Sequence, residues 1–274
     1  MNILFGYTIL NFFVSIRNEF LNKLFILITD LGSLEFYLIL ISFLFFIFDD
    51  RKTIKILFLL MISYLINSLL KNIFKFPRPD ENIVKPVYKE SGGGYGFPSG
   101  HSQNSLVLWL GLFYIFKKNY LKIVSIILII LISISRLYLG LHFLFDVLGG
   151  ILIGLIILFL YFNCIDRFFE KFFYLNLKKI LLISFSLIII SLFIKEYSFI
   201  LISLSGILIG INLSKEFNQT YLNMKKIVLR IFVGYPVIFI LIYIIKITNF
   251  NFIYFFLGLW VTYLSRLIFK KICI

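Results

Sequence analysis

The sequence predicts an all-α fold, a polytopic membrane helical bundle with about nine transmembrane helices and an N-terminal interfacial helix. Hydrophobic residues make up 61% of the 274 residues, and the mean hydropathy is +1.02, well above the range of soluble domains. Several apolar stretches reach or approach the roughly 20 residues that an α-helix needs to cross a bilayer. Together these observations predict an integral membrane protein.

The elements follow from the apolar stretches in chain order. Residues 3–16 are apolar but short for a span, so they are predicted to lie at the membrane interface. If they cross the membrane instead, the count becomes ten and the N-terminus changes side. Residues 19–32 carry charged side chains and lead into the first span. The predicted spans are residues 33–48, 54–71, 101–116, 121–139, 143–163, 179–195, 197–212, 227–246 and 250–269.

The chain is predicted to divide near residue 165. In residues 1–165 polar residues interrupt the spans in a patterned way, whereas residues 166–274 hold four apolar spans of undetermined role. Gly150 and Gly154, like Gly206 and Gly210, have the GxxxG spacing that favours close helix packing.

The formal net charge of +14 is interpreted as a signal of membrane topology. In a soluble protein it would suggest nucleic acid as a partner, but here most cations lie in short loops, so no nucleic-acid partner is expected. The loops richer in lysine and arginine are predicted to be cytoplasmic; they include Arg51-Lys52, Lys117-Lys118, Lys178-Lys179, Lys225-Lys226 and Lys270-Lys271. The 72–98 loop and the 136–142 turn then lie on the opposite, extracytoplasmic face.

A first polar cluster closes the second predicted span. Lys71 ends that span, and Arg78-Pro79 follows seven residues later in a proline-rich exit. The two cations could simply snorkel to the interface. The alternative interpretation is a pair of cations directed at an anion.

A second cluster, Pro98-Ser99-Gly100-His101, opens the third predicted span. Ser99 is a favoured helix N-cap residue, Gly100 allows a ligand to approach the backbone, and His101 falls in the first helical turn. The start of a helix favours anions, although an ordinary capped helix also accounts for Ser99. The preceding glycine-rich run, residues 91–96, lacks the Gly-Lys-Ser/Thr ending of a nucleotide-binding loop and is predicted to be a flexible loop that gives access to the site.

A third cluster lies at the next turn on the same face. Arg136 ends a span, His142 follows after a short turn, and Asp146 comes four residues after His142. Positions i and i+4 share a helix face, so Asp146 can accept from one imidazole nitrogen and leave the other as an acceptor. A purely structural His–Asp pair is the alternative, but ionisable groups this close to a membrane core are functional candidates.

The three clusters together predict a site for a phosphoryl group. The chain has only two histidines, and both fall on the predicted outer face beside three cations and a helix start. Such a set suits a dianionic phosphate, with one histidine attacking and the other protonating the leaving oxygen. No carboxylate cluster suited to two metals is evident, so neither a metal nor a cofactor is expected.

These residues resemble the type 2 phosphatidic acid phosphatase family, the lipid phosphate phosphatases related to vanadium haloperoxidases. Its motifs K-x6-R-P, P-S-G-H and S-R-x5-H-x3-D match, in order, Lys71 to Pro79, Pro98 to His101 and Ser135 to Asp146. The resemblance covers about residues 17–165 and leaves the C-terminal region unexplained.

The resemblance implies a role for each residue. His142 is the implied nucleophile that forms a phosphohistidine, Asp146 orients it, and His101 is the general acid. The implied phosphate ligands are Lys71, Arg78, Ser99, Gly100 and Arg136. The implied function is hydrolysis of a lipid phosphate, such as phosphatidic acid, phosphatidylglycerol phosphate, undecaprenyl pyrophosphate or a sphingoid phosphate, at the outer face of a bacterial cytoplasmic membrane.

Two other functions remain open. A lipid phosphotransferase could use the same phosphohistidine with a different acceptor. A non-enzymatic lipid transporter or scaffold would account for the C-terminal spans, although these carry few charges of the kind that mark a transport site. The oligomeric state is undetermined.

Overall fold

The computed structural model describes residues 6–47, 50–166, 175–193, 198–214 and 223–272. Within these ranges the chain is helical with irregular connections and contains no strand. It forms two compact units, residues 1–39 with 54–166 and residues 40–53 with 167–274. Residues 40–53 thus group with the second unit although they precede residue 165. The functional division at residue 165 stays a prediction.

Helices account for most of the described residues as far as 166. They are α1 (Thr8–Ser15), α2 (Glu19–Asp30), α3 (Leu34–Ile47), α4 (Asp50–Phe74), α5 (Gly100–Phe116), α6 (Asn119–Tyr138) and α7 (Leu144–Leu160), with a π-helical turn at Tyr161–Ile165. The later helices are α8 (Leu177–Phe193), α9 (Ser198–Ser214), α10 (Met224–Thr248), α11 (Ile253–Leu259) and α12 (Ser265–Lys271), with a π-helical turn at Trp260–Leu264.

The structure does not confirm nine membrane spans. Five helical stretches of the described chain are long and apolar enough to cross a membrane, and α2 with α3, bent by 50°, could form a sixth span. Helices α5, α8 and α9 have 17 residues each, which is short of the roughly 20 that a span needs. Three predicted spans have an end outside the described residues, at residue 48, residues 194–195 and residue 197.

Helix α1 belongs to the first unit and has one buried residue, Leu10. Leu10 is 1% exposed and joins a cluster with Val84, Leu137 and Val147. Its predicted position at the membrane interface stays a prediction.

Glycines allow close helix packing in both units. A Cβ on Gly150 would come within 2.5 Å of the Ser99 carbonyl oxygen, and one on Gly154 within 3.0 Å of the Leu106 side chain, so α7 lies directly against α5. In the second unit, Gly206 and Gly210 of α9 face Phe255 and Thr262 with no room for a methyl group. The close packing predicted from the two GxxxG pairs is confirmed.

A cluster of buried apolar residues in the first unit holds α4, α5, α6 and α7 together. Its members are Leu59, Leu106, Val107, Ile129, Ile157, Leu158 and Tyr161. Because this core fixes the four helices relative to one another, the ends of α4 and α6 meet the starts of α5 and α7 at one place.

Candidate active site

Three distant parts of the chain meet at this end of the first unit. The residues brought together there are those of the three predicted clusters: Lys71 and Arg78; Ser99, Gly100 and His101; Arg136, His142 and Asp146. Direct hydrogen bonds join the clusters. Arg78 Nη1 lies 3.0 Å from His142 Nε2, and the Ser99 amide donates to the Asp146 carbonyl at 2.9 Å.

His142 is held from both sides. Its Nδ1 lies 3.3 Å from Asp146 Oδ2, and its Nε2 lies 3.0 Å from Arg78 Nη1. Because a guanidinium nitrogen can only donate, this geometry assigns the ring proton to Nδ1 and the lone pair to Nε2. Burial lowers the pKa of the imidazole well below its usual value, and the positive charge of Arg78 lowers it further. The ring is therefore neutral near pH 7.

The His142–Asp146 pair forms, but not in the way that the sequence suggested. Helix α7 begins at Leu144, with Phe143 as its N-cap, so His142 precedes the helix and does not share a helical face with Asp146. Instead, Asp146 occupies the third position of α7 and its Oδ2 also accepts from the Phe143 amide at 2.9 Å. The carboxylate caps the helix and meets the imidazole from that position.

Arg78 spans the distance between His142 and the glycine-rich run. Its Nη1 also donates to the Leu141 carbonyl at 2.7 Å, while Nε and Nη2 donate to the carbonyls of Gly94 and Gly93 at 2.9 and 2.6 Å. Burial lowers the pKa of the guanidinium to about 10. The side chain therefore stays positively charged at neutral pH.

Arg136 is fully buried, at 0% exposure. Its Nη1 donates to the hydroxyls of Thr29 at 2.6 Å and Ser91 at 2.8 Å, and its Nη2 donates to the Ser91 carbonyl at 2.8 Å. Its Nε has no hydrogen-bond partner among the described residues. A buried donor without a partner is rare, so this N–H is available to a ligand oxygen.

His101 lies in the first turn of α5, as predicted. Its Nε2 is 3.4 Å from the Ser91 hydroxyl, which is also a partner of Arg136. A Cβ on Gly32, in the break between α2 and α3, would come within 3.0 Å of the His101 ring. A larger residue at position 32 would push the imidazole from this place.

Ser99 takes the N-cap position of α5 but does not cap the helix with its side chain. Its hydroxyl accepts from the Ser102 hydroxyl at 3.1 Å instead, and the residue is fully buried. The turn is supported from below by Asn67, whose amide nitrogen lies 3.3 Å from the Pro98 carbonyl and 2.9 Å from Gln103 Oε1. A Cβ on Gly100 would come within 3.0 Å of Asn67 Oδ1.

Lys71 lies in the last turn of α4, and its ammonium group donates to the Tyr95 carbonyl oxygen. Thus each of the three predicted cations contacts the segment that follows residue 90. The sequence predicted an access loop here, but it did not indicate that oxygens of this loop accept hydrogen bonds from the three cations.

The sequence reasoning missed four residues that the structure adds to the site region. Thr29 and Ser91 hold Arg136, while Asn67 and Gln103 support the Pro98–Gly100 turn. None of these has a motif spacing to the predicted residues. The available signal for Thr29, Asn67 and Gln103 was a polar side chain near apolar residues, whereas Ser91 opens the glycine-rich run.

No three His, Cys, Asp or Glu side chains of the described ranges lie together as a group that could hold a metal ion. The expectation of a metal-independent reaction stays a prediction.

Comparison with known proteins gives consistent results. The sequence profile of the PAP2 superfamily matches residues 52–170. Phosphatidylglycerophosphatase B of Bacillus subtilis is 38% identical over 160 residues, which cover 54% of this chain and 76% of that protein. Lipid A 4'-phosphatase of Porphyromonas gingivalis is 36% identical over 130 residues, 43% of this chain and 55% of that protein. The crystal structure of Aquifex aeolicus LpxE superposes with a TM-score of 0.52 at 25% identity, over 60% of this chain and 99% of that one.

The fold and the site describe a helical membrane protein that gathers two histidines, three cations and one aspartate at one end of its first unit. The chain belongs to the PAP2 superfamily. The resemblance inferred from the three motifs is thereby confirmed, and the chain is a phosphatase, a hydrolase of phosphoric monoesters or pyrophosphates.

Proposed function

We propose that the protein hydrolyses the phosphate monoester or pyrophosphate of an amphiphilic lipid through a phosphohistidine on His142. The observation that carries this proposal is the position of the His142 imidazole between Asp146, 3.3 Å from Nδ1, and Arg78, 3.0 Å from Nε2. This arrangement directs a neutral, nucleophilic nitrogen toward a cation that can hold a phosphoryl oxygen.

In the first step, His142 Nε2 attacks the phosphorus atom and the bond from phosphorus to the leaving oxygen breaks. His101 donates a proton to that oxygen, so the lipid alcohol, or the lipid monophosphate when the substrate is a pyrophosphate, leaves with its oxygen protonated. Asp146 accepts the Nδ1 proton in a hydrogen bond, which stabilises the positive charge that develops on the ring. Asp146 Oδ2 also accepts a hydrogen bond from the Phe143 amide, and this bond keeps the carboxylate in place.

In the second step, a water molecule gives a proton to His101 and attacks the phosphohistidine. The bond between Nε2 and phosphorus breaks, inorganic phosphate leaves, and both histidines return to their starting protonation states. No oxidant or other co-reactant is required.

The cations supply the electrostatic part of the reaction. Phosphoryl transfer depends chiefly on positioning and on stabilising charge that spreads over the three equatorial oxygens. Lys71, Arg78 and Arg136 surround the two histidines with positive charge, and the free Nε–H of Arg136 adds a directed donor. Ser99 and Gly100 contribute the start of α5.

Several observations support a lipid as the substrate. The relatives named above are phosphatases of phosphatidylglycerol phosphate and of lipid A. Lys71, Arg136 and Asp146 lie near the ends of candidate membrane spans. A tail could stay in the bilayer while the headgroup reaches this end. The distribution of lysine and arginine supports an extracytoplasmic site in a bacterial cytoplasmic membrane.

All the proposed site residues belong to the first unit. This supports the assignment of the chemistry to residues 1–165, with residues 166–274 shaping lipid entry, mediating association or stabilising the fold.

The test is release of inorganic phosphate by the purified full chain in detergent with EDTA present. The substrates are phosphatidic acid, phosphatidylglycerol phosphate, undecaprenyl pyrophosphate and a sphingoid phosphate. We expect activity on at least one lipid and its loss in His142→Ala, while the exposed variant Asn82→Ala keeps it. Activity that needs added metal, or that persists in His142→Ala, contradicts the mechanism.

A lipid phosphotransferase is the second candidate, because the same phosphohistidine on His142 could pass its phosphoryl group to an acceptor other than water. Incubation with a labelled phosphate donor and a lipid alcohol separates the two functions. Release of labelled inorganic phosphate identifies a hydrolase, and transfer of the label to the acceptor lipid identifies a transferase.

A further inference from the structure

One short segment occupies donors on all three cations of the site. We define the 91–95 segment as Ser91 to Tyr95. Arg136 donates to the Ser91 carbonyl and hydroxyl, both at 2.8 Å, and Arg78 donates to the carbonyls of Gly93 and Gly94. The Lys71 ammonium donates to the Tyr95 carbonyl. Oxygens of a single stretch of backbone thus collect hydrogen bonds from Lys71, Arg78 and Arg136.

These oxygens accept the hydrogen bonds that a phosphoryl group needs. A carbonyl oxygen accepts from guanidinium and ammonium groups at the same distances as a phosphate oxygen but carries less charge. A donor hydrogen directed at a carbonyl cannot bind a phosphoryl oxygen at full strength at the same time. Segment and substrate therefore compete for the same cations.

The reacting nitrogen is closed off in this arrangement. His142 is 1% exposed and Arg136 is 0% exposed, so a phosphorus atom cannot reach Nε2 until part of the site moves. Ser91 also lies 3.4 Å from His101 Nε2. Departure of the segment would free the second histidine together with the cations.

Residues 93–95 of the segment are exposed and can move without disturbing the core. A Cβ placed on Gly93 or Gly94 would meet no atom within 4 Å, so their outer side is open. Gly94 adopts φ +66°, a conformation that favours glycine. The amides of Ser91 and Gly92 donate to the carbonyls of Tyr88 and Lys89 and anchor the start of the segment, whereas the carbonyls of Gly93, Gly94 and Tyr95 accept from the cations that they cover.

We propose that the 91–95 segment fills the phosphoryl-binding positions of the resting protein, and that the oxygens of the substrate phosphoryl group replace its oxygens on Lys71, Arg78 and Arg136. This inference rests on the proposed function and adds a selectivity element to it. A headgroup must displace the segment to bind, so its charged oxygens must form stronger hydrogen bonds with the three cations than the segment's carbonyl oxygens do.

The experiment places a nitroxide spin label on the segment. Cys164 and Cys273 are replaced by serine, and Gly93→Cys, where the added side chain meets open space, carries the label. Ile83→Cys is the matched control, because Ile83 lies in the same connection, is 56% exposed and is not placed near a cation. The mobility of each label is recorded by electron paramagnetic resonance as inorganic phosphate is added, and lipid phosphatase activity is measured on the same samples.

We expect the label at position 93 to become mobile over the phosphate range that inhibits the activity, while the label at position 83 does not change. An unchanged label at position 93 under inhibiting phosphate overturns the proposal, as does an equal response at both positions. If inorganic phosphate neither inhibits the activity nor mobilises the label at position 93, that result also contradicts the proposal. A label that responds in a protein with no activity on any lipid leaves the exchange standing and rejects the proposed function alone.

Discussion

Asp146 Oδ2 lies 3.3 Å from His142 Nδ1, and both side chains are almost completely buried, each residue being 1% exposed. A carboxylate in this place selects the ring tautomer that carries its proton on Nδ1 and its lone pair on Nε2. In the proposed mechanism the aspartate therefore sets the reactivity of His142, and it also caps α7.

The first prediction concerns this carboxylate. In Asp146→Asn we expect kcat to fall by roughly 10²- to 10⁴-fold, since an amide no longer stabilises the proton on Nδ1 or the charged ring. Phosphate release from the best lipid substrate measures the effect. Asp80→Asn is the control, because Asp80 is exposed and its carboxylate accepts hydrogen bonds from Asn82, away from the two histidines. An Asp146→Asn protein with near-normal kcat would falsify the proposed role.

The second prediction concerns the protonation of His142. Burial and Arg78 lower its pKa, so the ring stays neutral through pH 6.5 and takes up a proton only as the pH falls further. Because the unfolded chain binds that proton at higher pH, this group stabilises the fold less as the pH drops below about 6.5. In the His101→Gln protein, His142 is the single histidine, and ¹⁵N NMR of labelled histidine reports it directly. A midpoint above pH 6.5 contradicts the prediction.

The third prediction concerns the support of Arg136. Thr29→Val removes the hydroxyl that accepts from Arg136 Nη1 at 2.6 Å with little change in shape. A lost hydrogen bond to a charged group corresponds to about 1.5–3 kcal/mol, so we expect kcat/KM to fall about 10- to 100-fold, mostly through KM. Thr29→Ser retains the hydroxyl and should restore KM. Equal kinetics for the valine and serine variants would argue that the hydroxyl does not position Arg136.

The fourth prediction concerns the contact between α7 and the turn before α5. A Cβ on Gly150 would lie 2.5 Å from the Ser99 carbonyl oxygen and 3.3 Å from the Gln103 amide. Since backbone atoms must shift, we expect Gly150→Ala to destabilise the protein by about 1–3 kcal/mol and to reduce activity. Thermal unfolding in detergent measures the first effect. Gly93→Ala, which meets open space, should unfold at the wild-type temperature, and a normal unfolding temperature for Gly150→Ala would contradict the clash.

The local parts of the site could be predicted from the sequence because they depend on neighbours in the chain. Apolar stretches and their polar ends indicated where helices begin and end, and so placed Lys71, His101 and Arg136 at helix termini. The close approach of α7 to α5 followed from the spacing of Gly150 and Gly154. These features rely on helix periodicity, which a sequence displays directly.

The remaining features depend on contacts between distant residues. Thr29 lies 107 positions from Arg136, and Ser91 lies 45 positions from it, so no spacing rule connects them. Gly32, in the break between α2 and α3, comes near His101 from 69 positions away, again without a spacing rule. The number of spans could not be settled because 17-residue helices such as α5 look like full spans when only hydropathy is considered.

The hydrogen bond from the Ser99 amide to the Asp146 carbonyl, at 2.9 Å, joins the turn that precedes His101 to the first turn of α7, which follows His142. This link uses main-chain atoms only, so it is indifferent to which side chains surround it. The separation of the Ser99 and Asp146 backbones is consequently fixed by contact between two peptide groups. Replacing a side chain elsewhere on α5 or α7 leaves both partners of this contact in the chain.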